Sequence, residues 1–161
     1  MVTTRSILLL ADWKGYLCAR SLTITTHDPI ERAILRDRQV FEEQQLPNGI
    51  RTYSYQDTSP VTFVSITIPV GSAHNRGNIL PGTFHFLEHM VFKRSQLYPG
   101  LNDFWRKVGL KGATINATTK RNLTVYTLEV PSVHLDEVVA GFISLIFDPL
   151  LSAEDVTNEL A

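Results

Sequence analysis

The sequence predicts an α+β fold, an antiparallel sheet with helices packed on one face. Two observations predict it. Runs of strict apolar alternation come in pairs joined by tight-turn residues, which gives hairpins. Between and after them stand segments whose apolar residues recur at helical spacing, so each helix has one stripe to bury. At 161 residues the chain is long enough for one domain with a real core, and its 43% apolar and 19% charged shares are those of an ordinary globular protein.

The elements follow in order. Asp28-Pro29-Ile30-Glu31 reads as a helix start, with Asp28 as cap and Pro29 in the first turn, and a short helix runs to about Arg38. Gln39 to Leu46 alternates, Pro47-Asn48-Gly49 turns, and Ile50–Tyr55 returns as the second strand of a hairpin. Val61 to Val70 is the clearest strand, with Val64, Ile66, Ile68 and Val70 on one face and Ser65 and Thr67 on the other. A loop rich in Gly, Asn and Pro then leads to a helix from about Thr83 to Phe92, and a shorter one covers Asn102 to Val108. Thr114–Ala117 and Leu123–Val130 form another hairpin. Ser132 is expected to cap an amphipathic helix bearing Leu135, Val138, Val139, Phe142, Leu145 and Ile146, which Pro149 ends. Ser152-Ala153-Glu154-Asp155 opens a last helix, with Ser152 as cap.

Composition narrows the function. The net charge of −1, with both signs interspersed, points to neither nucleic acid nor an anionic membrane as partner. Cys18 is the single cysteine, so an internal disulfide framework and a Cys-rich zinc ribbon are both excluded, and any metal has to be held by histidine and carboxylate. No segment reaches the roughly 18–20 apolar residues of a membrane span. Arg5, Lys14 and Arg20 among serines and threonines give a faint transit-peptide composition; a poorly ordered or miscalled N-terminus accounts for them equally well. A soluble protein of the cytoplasm or mitochondrion is expected ahead of a secreted one, and the compartment stays open.

The chemistry lies in His85-Phe86-Leu87-Glu88-His89. On a helix, with His85 at zero, His89 stands near +40° and Glu88 near −60°, at about 100° per residue. The three polar groups share one arc, and Phe84, Phe86, Leu87, Met90 and Val91 cover the other sides. Burying two imidazoles and a carboxylate without partners is costly, and a zinc ion supplies a partner. Two histidines at i and i+4 can bind one Zn²⁺, and Glu88 beside them can deprotonate a zinc-bound water. The bland alternative is a pair of core histidines hydrogen-bonded to neighbours, with Glu88 in a salt bridge.

The flanking residues bear on that choice. Leu46-Pro47-Asn48-Gly49, Ile66-Thr67-Ile68-Pro69-Val70-Gly71-Ser72 and Gly82-Thr83-Phe84-His85-Phe86-Leu87-Glu88-His89-Met90-Val91-Phe92-Lys93 resemble the insulinase, pitrilysin and mitochondrial processing peptidase family of inverted zinc metallopeptidases. Gly112-Ala113-Thr114-Ile115-Asn116-Ala117-Thr118 with Tyr126, and Phe147-Asp148-Pro149-Leu150 before an acidic helix, are similar to it as well. The resemblance covers residues 40–161, the front portion of a metallopeptidase N-terminal domain, and leaves 1–39 as an N-terminal extension of low order. It implies zinc held by His85 and His89, Glu88 as general base, and Glu159 supporting the metal site without binding it. It also implies Asn116 and Ala117 on an edge strand that pairs with a peptide substrate.

In the family the third zinc ligand is a glutamate about two turns beyond the position of Glu159, past Ala161, and a second family domain or subunit closes the site. The expectation is therefore an N-terminal fragment of a zinc metalloendopeptidase, truncated before the third ligand and inactive alone. The alternatives are a non-catalytic scaffold or partner subunit of the same family, or a remnant without function. Two smaller departures stand out: His74, read as a loop histidine, occupies a position that is more often acidic, and Lys93-Arg94-Ser95 lacks the usual glycine after lysine. Lys120-Arg121 reads as a solvated hairpin tip, with a substrate-facing role as the alternative. His27 and His134 sit beside helix starts and are read as surface residues.

Overall fold

The computed structural model describes residues 4–10, 42–57 and 59–160. Its framework is a six-stranded sheet of β1 (Thr4–Leu10), β2 (Glu42–Gln45), β3 (Arg51–Asp57), β4 (Val61–Ile68), β5 (Thr114–Thr119) and β6 (Thr124–Pro131), in the order β2-β3-β1-β4-β6-β5. Four helices accompany it: α1 (Thr83–Val91), α2 (Asp103–Leu110), α3 (Leu135–Phe147) and α4 (Ala153–Leu160).

Both expected hairpins form. β2 and β3 pair antiparallel across the Pro47-Asn48-Gly49 turn, where the Asn48 side chain accepts the Ile50 N–H (3.2 Å) and Gly49 adopts φ 89°. β5 and β6 pair antiparallel with Ala117 opposite Tyr126. The sequence did not give β1. Residues 4–10 lie between β3 and β4, antiparallel to the first and parallel to the second, so the sheet has one parallel pairing. The expected helix over residues 28–38 lies outside the described residues, as do Cys18 and His27.

Alternation sorts the two long strands. On β4, Thr62, Val64 and Ile66 are fully buried, and on β6 Thr124, Tyr126, Leu128 and Val130 face the same way. The helices lay their apolar stripes on that face: Val91 from α1, Phe104 and Val108 from α2, and Val138, Phe142, Leu145 and Ile146 from α3 form one cluster with these strands. Gly141 lets α3 approach closely, because a Cβ there would overlap the rings of Phe104 and Tyr98.

Helix entry differs from expectation at one point. Ser132 lies in a 3₁₀ turn, Ser132–His134, and α3 begins at Leu135 without a side-chain cap. The Ser132 hydroxyl donates instead to Pro60 O (3.0 Å) and meets the Thr62 hydroxyl (3.0 Å), joining this turn to the start of β4. Ser152 does cap α4: its oxygen accepts the Asp155 N–H at 3.0 Å. Among the described residues no helix is long and apolar enough to cross a membrane.

Candidate metal centre

α1 packs against β5, and this contact brings the polar arc of the helix to an edge of the sheet. The chain enters α1 through Gly82, whose φ of 89° favours a residue without Cβ. Met90 and Val91 anchor the helix in the interior. Its other face then turns His85, Glu88 and His89 toward one point, with ligand atoms all within 4.8 Å of one another. The two imidazoles stand 4.7 Å apart between ring centres, and His85 Nδ1 is 3.7 Å from Glu88 Oε2. The histidines are exposed, whereas Glu88 is only 7% exposed.

Each member of the group has support from another element. The Thr119 hydroxyl, at the end of β5, donates to Glu88 Oε2. That leaves Oε1 as the carboxylate oxygen without this partner. Residues of β5 alternate: Ile115, Ala117 and Thr119 turn toward the helices, and Thr114, Asn116 and Thr118 are exposed. Glu159 comes from α4. Its Oε1 accepts a hydrogen bond from His89 Nδ1–H at 2.7 Å, and its Oε2 receives the Lys93 ammonium at 2.5 Å. The Lys93 ammonium, and after it the His89 ring, holds the Glu159 carboxyl below the usual carboxylate range. A proton fixed on Nδ1 by a carboxylate leaves the Nε2 lone pair of His89 for a metal. Buried Tyr126 lies behind Glu88; desolvation first, then the charge of Glu88, pushes its hydroxyl up to about 12.

These residues fit a zinc ion. Two imidazoles one helical turn apart are donors that zinc accepts at ~2.0–2.1 Å, a buried carboxylate stands beside them, and one imidazole already carries the carboxylate partner that orients ligating histidines. Beside the group opens a cleft of about 350 Å³ between α1, α2, β5 and α4. Phe92, Trp105 and Ile115 form its apolar wall, His89, Lys93 and Glu159 its charged side, and Asn116 and Ala117 the strand edge.

The structure thus brings His85, Glu88, His89 and Glu159 together and sets Asn116 and Ala117 on the neighbouring edge strand. His74 stays apart: its Nδ1 meets the Gly71 N–H at 3.2 Å, and its ring stands edge-on to Phe84. Sequence reasoning missed Thr119, Lys93 and Trp105. Lys93 had only a weak local signal, its place in the turn just past the end of the helix that carries His89. Thr119 had a weaker one, the two-residue step from Ala117 on a strand.

Known proteins resemble this chain over most of its length. Residues 51–161 match the family described as Insulinase (Peptidase family M16). The insulin-degrading enzyme homolog of Dictyostelium discoideum is 30% identical over 125 residues, 77% of this chain and 13% of that protein. Mitochondrial cytochrome b-c1 complex subunit 1 of Rattus norvegicus is 32% identical over 116 residues, 71% of this chain and 23% of that one. The crystal structure of pitrilysin superimposes with a TM-score of 0.69 at 26% identity, over 77% of this chain and 13% of its own. The chain spans between an eighth and a quarter of the length of these relatives. With the His-x-x-Glu-His group on α1, the edge strand beside it and the match over residues 51–161, the chain belongs to the insulinase family, peptidase family M16.

Proposed function

We propose that this chain forms the front of a zinc metalloendopeptidase site, with His85 and His89 as metal ligands and Glu88 as general base. The observation that carries the reading is the convergence of two imidazoles and one buried carboxylate within 4.8 Å, one imidazole being oriented by Glu159. Zinc, when bound, supplies a Lewis acid that acidifies water and polarises a peptide carbonyl. The residues do the rest. Thr119 holds Glu88 Oε2, so the carboxylate presents Oε1 to the proton of an attacking water. Glu159 keeps the His89 proton on Nδ1. β5, whose outer edge is unpaired among the described residues, offers the backbone of Asn116 and Ala117 to an extended peptide, and the cleft beside it has room for a side chain.

A catalytic zinc takes three protein ligands plus water. By resemblance the third is the glutamate two turns beyond Glu159, so activity is expected of a chain that includes it and not of residues 1–161 alone. A second family domain or subunit closing the site belongs to the same proposal. Glu88→Gln in the longer chain is expected to retain zinc and lower peptide hydrolysis by about 10²–10⁴-fold. Hydrolysis at the wild-type rate in that variant would exclude Glu88 as the base. The likeness to a subunit of the cytochrome b-c1 complex favours one second reading, a non-catalytic partner subunit. Its signature is a folded chain that binds zinc no better than its His85→Ala variant.

A further inference from the structure

Within its described residues, Ala153–Leu160, α4 has little apolar packing to fix its register. Its buried residue is Asp155, at 1% exposure, while the apolar Val156 is half-buried and Leu160 is 72% exposed. Apolar packing therefore does little to set its position along its axis. A slip of one residue moves a helix by about 1.5 Å and turns it by about 100°, which takes Glu159 out of hydrogen-bond reach of His89.

The buried carboxylate of α4 is met by Arg94. Its Nε–H donates to Asp155 Oδ2 at 2.8 Å and its Nη2–H to Oδ1 at 3.2 Å, a two-pronged contact that a single-point cation does not reproduce. Nη1 reaches Pro99 O (3.4 Å), and the Ser152 hydroxyl donates to Asp155 Oδ2 (2.7 Å). The backbone repeats the connection: Leu150 N–H donates to Arg94 O at 3.0 Å, Gln96 N–H to Asp148 O at 3.2 Å, and Ser95 forms a bridge with Pro149. Asp155 and Glu159 are four residues apart on α4, so they share a face, and that face meets Arg94 and then Lys93 and His89. Glycine at position 94, the residue the family resemblance led us to expect, has no side chain to make this contact.

We infer that Arg94 and Asp155 are positioning residues for the metal centre: the two-pronged contact of half-buried Arg94 on buried Asp155 sets the register of α4 against the end of α1 and so delivers the Glu159 carboxylate to His89 Nδ1. This rests on the metal-centre reading above, and its test separates the two. The variant is Arg94→Gly with Asp155→Ala, which removes both charges and leaves neither buried alone. The readout is the tautomer of the His89 ring in the metal-free 161-residue chain, by long-range ¹H–¹⁵N NMR in mildly alkaline buffer. Wild type is expected to carry the proton on Nδ1. The double variant, folded by its melt, is expected to show mixed tautomers and to bind Zn²⁺ about tenfold more weakly against a competing chelator.

An unchanged ring in the folded double variant overturns the inference, as does a wild-type ring without the Nδ1 proton. If the double variant does not fold, Arg94→Lys carries the test. It keeps the charge and loses the second prong, so a partial shift of the ring supports the inference and no shift overturns it. Lys111→Ala, which breaks the ion pair with Glu137 (2.7 Å) elsewhere on the molecule, is the control. An equal shift there would mean that lost stability, not register, moves the ring, and the inference falls. Zinc affinity in wild type equal to that of His85→Ala defeats the metal-centre reading, while the tautomer result still decides the register.

Discussion

The two halves of the sheet are held together differently. The half containing β4, β6 and β5 carries the helices, and the buried cluster, from Val64 to Ile146, belongs to it and its helices. Among the residues whose side chains are described, the half containing the paired strands β2 and β3 contributes none to that cluster, and β2 is exposed along its whole length. Glu88, Thr119 and the His89–Glu159 link all sit on the packed half. A carboxylate can be kept 7% exposed and aimed at one point only where its surroundings cannot yield, and pairing alone does not give that rigidity.

The sharpest way to break this contrast is in the core of the packed half. Phe142→Ala removes a fully buried ring from α3 and is expected to cost about 3–5 kcal/mol in denaturant unfolding. A loss below about 1 kcal/mol would mean that the helical layer does not hold this half. An intermediate effect is expected at Asp155→Asn. Arg94, and then Ser152, holds the Asp155 carboxyl below its usual range. A lowered folded value means that the charge stabilises the fold above the unfolded value of ~3.9 and ceases to do so as pH falls through the folded one. The melting midpoint of Asp155→Asn should therefore lie a few degrees below wild type at pH 7, with the gap closing below about pH 4. A gap independent of pH would assign the effect to packing. The smallest effect belongs to the paired half. Glu43→Gln, which alters an exposed bond from the Tyr53 hydroxyl (2.9 Å), is expected to stay within about 0.5 kcal/mol of wild type.

Legibility in the sequence followed locality instead, since the exposed β2–β3 hairpin was as readable as the packed strands. β4, β6 and α3 announce themselves because a buried face imposes a period, and the His85–Glu88–His89 arc follows from helical geometry alone. β1 was not legible: Ile7 to Leu10 is apolar, but nothing local states that it pairs antiparallel with one strand and parallel with another. Ser132 has the residue type of a cap, yet its hydroxyl is taken by Pro60 across 72 positions. Arg94 registered only as a departure from a pattern, because its partner lies 61 residues away. Pairings of that kind are properties of the packed molecule and leave no periodic trace.

The link between His89 and Glu159 spans 70 residues. At a synthesis rate of about 5–20 residues per second, that separation amounts to roughly 4–14 s on the ribosome. Throughout that interval the emerging chain carries both histidines without the carboxylate that orients one of them. The orientation of His89 is therefore set late and from a distance, and a nascent chain stopped before residue 159 cannot hold its ring by this link.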